Sequence, residues 1–123
     1  MTHGVRGDPS GPRVVDGDLA RQVAETMQAL AAPSRVRILA RLRESPSSVG
    51  ELARAVEMGQ SAVSQQLRIL RHLGLVVGER RGRHTVYALH DEHVGVLLEE
   101  AVHHTEHLRL GLAASPLQAS RAS

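Results

Sequence analysis

The stretch from Ser48 to Leu89 leaves the chain few ways to fold. Ser48 is followed three residues on by Glu51, the reciprocal pair that starts a helix as a capping box, and Leu52, Ala53 and Val56 give that helix one apolar face. Glu57-Met58-Gly59 interrupts it. Ala62, Val63, Leu67 and Leu70 then return at helical spacing and predict a second helix, stopped before Gly74. Helix, three-residue turn with glycine, helix is the helix-turn-helix pattern. Beyond it, Leu75 to Glu79 and His84 to Leu89 are β-branched or apolar runs on either side of Arg80-Arg81-Gly82-Arg83. They predict a hairpin with a cationic tip, a wing.

Helices flank this module. Leu19, Val23, Met27 and Leu30 recur every three or four residues after Asp16 and Asp18. Pro33 and Ser34 restart the chain, and Val36, Ile38, Leu39 and Leu42 support a helix ending near Ser45-Pro46. After the wing, Val94, Leu97, Leu98, Ala101, Val102, Thr105, Leu108 and Leu112 keep helical spacing over some five turns. Residues 1–15, rich in Gly and Pro, read as a flexible arm and residues 113–123 as a flexible tail. The expected architecture is therefore one domain, 16–112. It is mainly α with a small β-hairpin wing, a winged helix-turn-helix that is dimeric through its terminal helices. With 123 residues there is room for one core and no second domain.

Charge separates the halves of this domain. All 15 cationic side chains are Arg; residues 34–83 hold ten of them against four Glu, whereas residues 84–108 hold none against five acids. The exposed face of the second motif helix presents Gln60, Ser61, Ser64, Gln65, Arg68 and Arg71. Short hydroxyl and amide side chains there can reach base edges in a major groove, and Arg can clamp phosphate or guanine. On an isolated helix such residues would more often only solvate a surface. With an adjoining wing carrying Arg80, Arg81 and Arg83, they point to double-stranded DNA, the wing supplying backbone affinity. Absence of cysteine excludes disulfides, thiolate metal sites and cysteine nucleophiles. With no apolar run of membrane-spanning length and no signal-like start, the expected location is cytoplasmic, with no membrane partner.

The run Ser61-Ala62-Val63-Ser64-Gln65-Gln66-Leu67-Arg68-Ile69-Leu70-Arg71-His72-Leu73-Gly74-Leu75-Val76, with Ala32-Pro33-Ser34-Arg35 upstream, resembles the ArsR/SmtB family of winged-helix metal-sensing repressors over about residues 19–110. The resemblance implies a homodimer that occupies an operator and leaves it when metal binds. Many relatives carry His where Gln65 stands here, so the resemblance does not carry over a base preference at that position.

Five of the eight histidines, His90, His93, His103, His104 and His107, lie between residues 90 and 107 of the acidic stretch. On a helical wheel at about 100° per residue, His93, His104 and His107 share a strip beside the apolar face, and Asp91 can turn back beside His93 at the helix start. One helix cannot close these around an ion. His93 and His104 are separated by about 16 Å of helix, whereas metal–ligand bonds are about 2 Å. Two copies antiparallel across a two-fold axis bring Asp91 and His93 of one to His104 and His107 of the other, twice. The set resembles the last-helix site of zinc, cobalt and nickel sensors of the family. His72, His84, His90 and His103 read as surface or structural residues.

Four nitrogen and oxygen donors suit Zn(II), while octahedral Ni(II) or Co(II) needs about two more. Met1-Thr2-His3 can supply them: with the initiator Met removed, the Thr2 amine and the His3 imidazole form a chelate, as nickel and cobalt sensors of the family carry His3. Positions 109 and 116, Arg109 and Pro116, depart from that pattern, which has further histidines there. The reading is a repressor released by Ni(II) or Co(II), with a Zn(II) sensor as the alternative. A His-rich metal storage or delivery protein is the rival from another class, but it would need neither the Arg wing nor the recognition face. His103-His104-Thr105-Glu106-His107 formally matches an inverted zinc-protease motif, and Glu100-Ala101-Val102-His103 half of a di-iron site. The first lacks a third ligand and a cleft, the second its other half, so no enzyme is expected.

Overall fold

The starts of the helices follow from local chemistry. A computed structural model describes residues 14–111, with α1 (Gly17–Ala29), α2 (Pro33–Glu44), β1 (Ser47–Ser48), α3 (Val49–Val56), α4 (Gln60–His72), β2 (Val76–Arg81), β3 (His84–Leu89) and α5 (Glu92–Leu110). The arm before Val14, including Thr2 and His3, and the tail with Leu112 and Pro116 lie outside the described residues. The Asp16 carboxylate accepts from Leu19 N–H at 2.8 Å, and Pro33 opens α2, where a missing N–H costs nothing. Ser48 Oγ accepts from Glu51 N–H at 3.2 Å while Ser48 N–H donates to Glu51 Oε1 at 2.8 Å, so the expected capping box is formed. The Ser48 N–H also holds the Glu51 carboxyl below its ordinary value. This link in stability is whole above the ordinary carboxylate range and is lost as pH falls through the lowered value.

The turn of the motif runs through Glu57, which adopts a left-handed conformation at φ +56°. Gly74 closes α4 at φ +77°, as the sequence leads one to expect. Ile38, Leu39 and Leu42 of α2, Leu52 and Val56 of α3, and Val63, Leu67 and Leu70 of α4 form the core, joined by Val76 from the wing and by Val94 and Leu98 from α5. This apolar block fixes α4 against α2 and α3 and leaves its other face to solvent.

Two details differ from the sequence-based expectation, and a third agrees with it. First, Ser47 and Ser48 pair with Tyr87 and Val86, adding a third strand in the order β1-β3-β2. Second, the wing is longer: Arg81 pairs with His84, so Arg80 and Arg81 belong to β2 and only Gly82-Arg83 turns the chain. Gly82 takes φ +62° at the first central position, the setting a two-residue hairpin turn requires. Third, as expected of a chain that is dimeric through its terminal helices, those helices leave their apolar stripes largely exposed among the described residues. Ala29 is the one buried residue of α1, with Val23 and Met27 exposed, and α5 buries only Val94, Gly95 and Leu98. Residues 100–111 are all exposed, including Val102, Leu108 and Leu110.

Candidate nucleic-acid interface and metal-binding residues

Helix α4 separates into two faces. Val63, Leu67 and Leu70 point inward and are buried, whereas Gln60, Ser61, Ser64, Gln65, Arg68 and Arg71 are exposed together. Ala62, expected in the apolar stripe, is exposed as well, because the stripe is one residue wide at the helix start. Gln66 is taken out of the reading face: Arg35 Nε donates to its Oε1 at 2.8 Å, and Arg35 Nη1 donates to the Ala29 carbonyl at 3.2 Å. One guanidinium thus ties α4 to the junction of α1 and α2.

Between α4 and the wing runs an open groove whose lining includes Arg54, Gln60, Ser64, Arg81, Arg83 and His84. Arg81 is held by Glu79 at 3.0 Å, and Arg80 Nε donates to the Gly82 carbonyl at 3.2 Å, so both lie along the strand rather than waving at a loop tip. Arg83 makes no such contact among the described residues. Arg54, on the exposed flank of α3, is absent from the residues the sequence singles out, and His84 is among those read there as surface or structural; both line this groove. A polar helix face beside a cationic groove can hold a polyanion by its backbone while side chains at its edge meet base edges.

At the other side of the molecule, Asp91 caps α5. Its Oδ1 accepts from His93 N–H at 2.9 Å and from Val94 N–H at 3.3 Å, and lies 3.4 Å from His93 Nδ1. Its Oδ2 is 3.0 Å from His90 Nδ1. His90 foremost, with the backbone N–H groups of Val94 and His93, keeps the Asp91 carboxyl below its ordinary value. Asp91 and His93 are therefore neighbours, as expected, and His90 is a partner that no sequence pattern pointed to. His104 and His107 are exposed on the far half of α5. Among the described residues of one protomer, no three potential ligands converge. The donor set itself, imidazoles and one ionised carboxylate, fits a divalent ion of borderline character.

The chain is similar to known proteins over nearly its whole length. The family model described as "Bacterial regulatory protein, arsR family" matches residues 32–77. The transcriptional regulator NmtR of Mycobacterium tuberculosis is 58% identical over 115 residues, which is 92% of this chain and 94% of that one. A homologue of the transcriptional repressor SmtB from Synechocystis is 44% identical over 95 residues, 77% of this chain and 72% of its own. Among solved structures, the solution structure of apo-NmtR matches with a TM-score of 0.69 and 56% identity, covering 92% of this chain and 95% of that one. A homodimeric winged helix-turn-helix DNA-binding domain from Mycobacterium bovis, described as a possible ArsR-family regulator, matches at 0.70 with 28% identity, covering 80% and 91%.

Proposed function

This chain belongs to the ArsR family of bacterial regulatory proteins, and from that premise we propose that it is a homodimeric repressor released from operator DNA by Ni(II) or Co(II). The observation that supports the metal reading most directly is the division of donors along α5. Asp91 with His93 and His104 with His107 stand at opposite ends of one helix whose second half is exposed. An antiparallel two-fold pairing covers Val102 and Leu108 and places each pair of donors opposite its complement. The same pairing offers α1 a partner for Val23 and Met27.

In this reading α4 of each protomer enters a major groove, with Ser61, Ser64 and Gln65 at base edges and Gln60, Arg68 and Arg71 flanking them. Arg80, Arg81 and Arg83 hold phosphate from the wing. Thr2 and His3 add two donors to Asp91, His93, His104 and His107, and thereby favour an octahedral ion over tetrahedral Zn(II). A bound ion supplies a cross-link between the two α5 helices. What the chain does with it is linkage: one spacing of the two α4 helices fits successive grooves, another does not, and a coupling of about 1 to 3 kcal/mol weakens operator binding roughly 5- to 150-fold.

The test is operator affinity measured without metal and with nickel, cobalt and zinc in turn. Nickel and cobalt are expected to weaken binding within that range and zinc to do less. A stronger response to zinc makes this a Zn(II)-responsive repressor, and no response to any of the three overturns metal release. The arm has its own expected result. Removing Thr2 and His3 lowers nickel affinity by at least about ten-fold and leaves zinc affinity nearly unchanged, with nickel absorption spectra showing fewer nitrogen donors. Equal affinities before and after removal exclude the arm from coordination.

A further inference from the structure

Helix α5 reaches the DNA-reading helix only indirectly, because it packs chiefly on α2 and β3. Any displacement of α5 must therefore pass through α2 and α3, or through the wing, before it turns α4. The α2–α5 seam has two parts of different character. One is apolar, Leu98 against the core beside Ala40. Apolar contact is non-directional and tolerates sliding along the helix axis. The other part is polar: Arg43, in the last turn of α2, forms an ion pair through Nη2 with Glu99 Oε1 in the middle of α5.

That pair is built into the packing. Gly95 lies one turn before Glu99, and a Cβ at position 95 would stand 3.2 Å from Arg43 Nε and 3.5 Å from Arg43 Cδ. The guanidinium stem thus lies flat across α5 at a residue with no side chain and ends on the carboxylate one turn further on. The other carboxylate oxygen is 4.0 Å from His103 Nε2, too far for a hydrogen bond, which leaves Arg43 as the partner. Among the described residues, this is the one ion pair that ties α5 to another element between His93 and His104, and it fixes position along the axis by charge and direction.

We propose that Arg43 and Glu99 are positioning residues for metal response: their ion pair sets the register of α5 on α2, so that movement of α5 is passed to α4 rather than absorbed by sliding. The proposal rests on the metal-release reading and adds the residues through which release is transmitted. Neither residue faces the DNA groove or belongs to the metal donors.

The experiment measures two quantities in the full-length dimer: nickel affinity of the free protein, and the factor by which nickel weakens operator binding. The variants are Arg43→Met, Glu99→Gln, Arg43→Glu, Glu99→Arg and the double swap Arg43→Glu with Glu99→Arg. Both side chains are partly exposed, at 44% and 40%, so the neutral variants leave the core intact. The single variants are expected to keep nickel affinity and stoichiometry while the weakening factor falls by about 1.5- to 5-fold, the range of a solvent-accessible ion pair. The double swap restores the factor, which a general loss of stability cannot do. Weakening factors equal to wild type in every single variant overturn the proposal, as does a double swap no better than its parents. Wild type that shows no response to nickel, cobalt or zinc overturns the release reading, and this proposal with it, so the two failures are told apart.

Discussion

Replacement of Arg80, Arg81 and Arg83 together by Ala is expected to weaken binding to every DNA sequence alike, by roughly a hundred-fold or more at physiological salt. Every phosphate that the wing no longer neutralises takes about 0.9 off the slope of log affinity against log salt, and a dimer gives up as many as six cations. The slope should therefore flatten by up to about 5, since counterions released into solution drive this part of the binding. Arg81 contributes least to this sum, because Glu79 already holds it at 3.0 Å and must be displaced first. Gln65→Ala and Ser64→Ala behave differently. They are expected to cost about 1 to 3 kcal/mol on the operator and little on random DNA, because hydrogen bonds to base edges carry the discrimination. Titrations of both DNAs at several salt concentrations separate the two classes, and equal losses on both DNAs for the α4 variants remove that face from base reading.

Tight metal binding should vanish from a dimer with Asp91 and His93 changed, and from one with His104 and His107 changed, yet return when the two chains are mixed. In the heterodimer one site combines both damaged halves, while the other draws Asp91 and His93 from one chain and His104 and His107 from its partner. That second site is whole. The structure dictates the substitution at the first position: Asp91 Oδ1 caps α5, so Asp91→Asn, which keeps an acceptor there, avoids unravelling the helix start. His93→Ala and the two distal His→Ala changes are on exposed positions. The expected gain is one tight site per heterodimer, which neither parent homodimer forms, because all four α5 donors meet again at that site. Purified heterodimers no better than their parents would falsify an intersubunit site, because only a site shared between chains can be rescued in this way.

Local chemistry made most of the fold legible. Asp16, Pro33, the Ser48–Glu51 pair and Gly74 each mark a helix end by satisfying or omitting backbone groups, and each stands where the structure has that end. What escaped was decided by partners distant in sequence. Ser47-Ser48 has no strand pattern and is extended because β3 offers it an edge. The first wing strand runs two residues past its apolar run, to Arg81, while the second keeps its expected bounds, because Gly82 turns the chain in the least possible length. On α1 and α5 the apolar spacing correctly announced helices, and their stripes are exposed among the described residues, as expected of helices through which the chain is dimeric. The donors were legible as residue types with a spacing. The His90 contact to Asp91 was not, because a residue before the helix obeys no helical period.

The unburied second half of α5 has a further consequence for the cell. Residues 100–111 are exposed among the described residues, and in the proposed pairing they pack on another copy, where the donors at positions 104 and 107 meet their complement. Assembly and sensing then share one mass-action requirement. At scarce expression the number of competent detectors varies with the square of the protomer level, so halving synthesis leaves about a quarter of them. A repressor built this way reads two variables at once, the abundance of an ion and its own copy number.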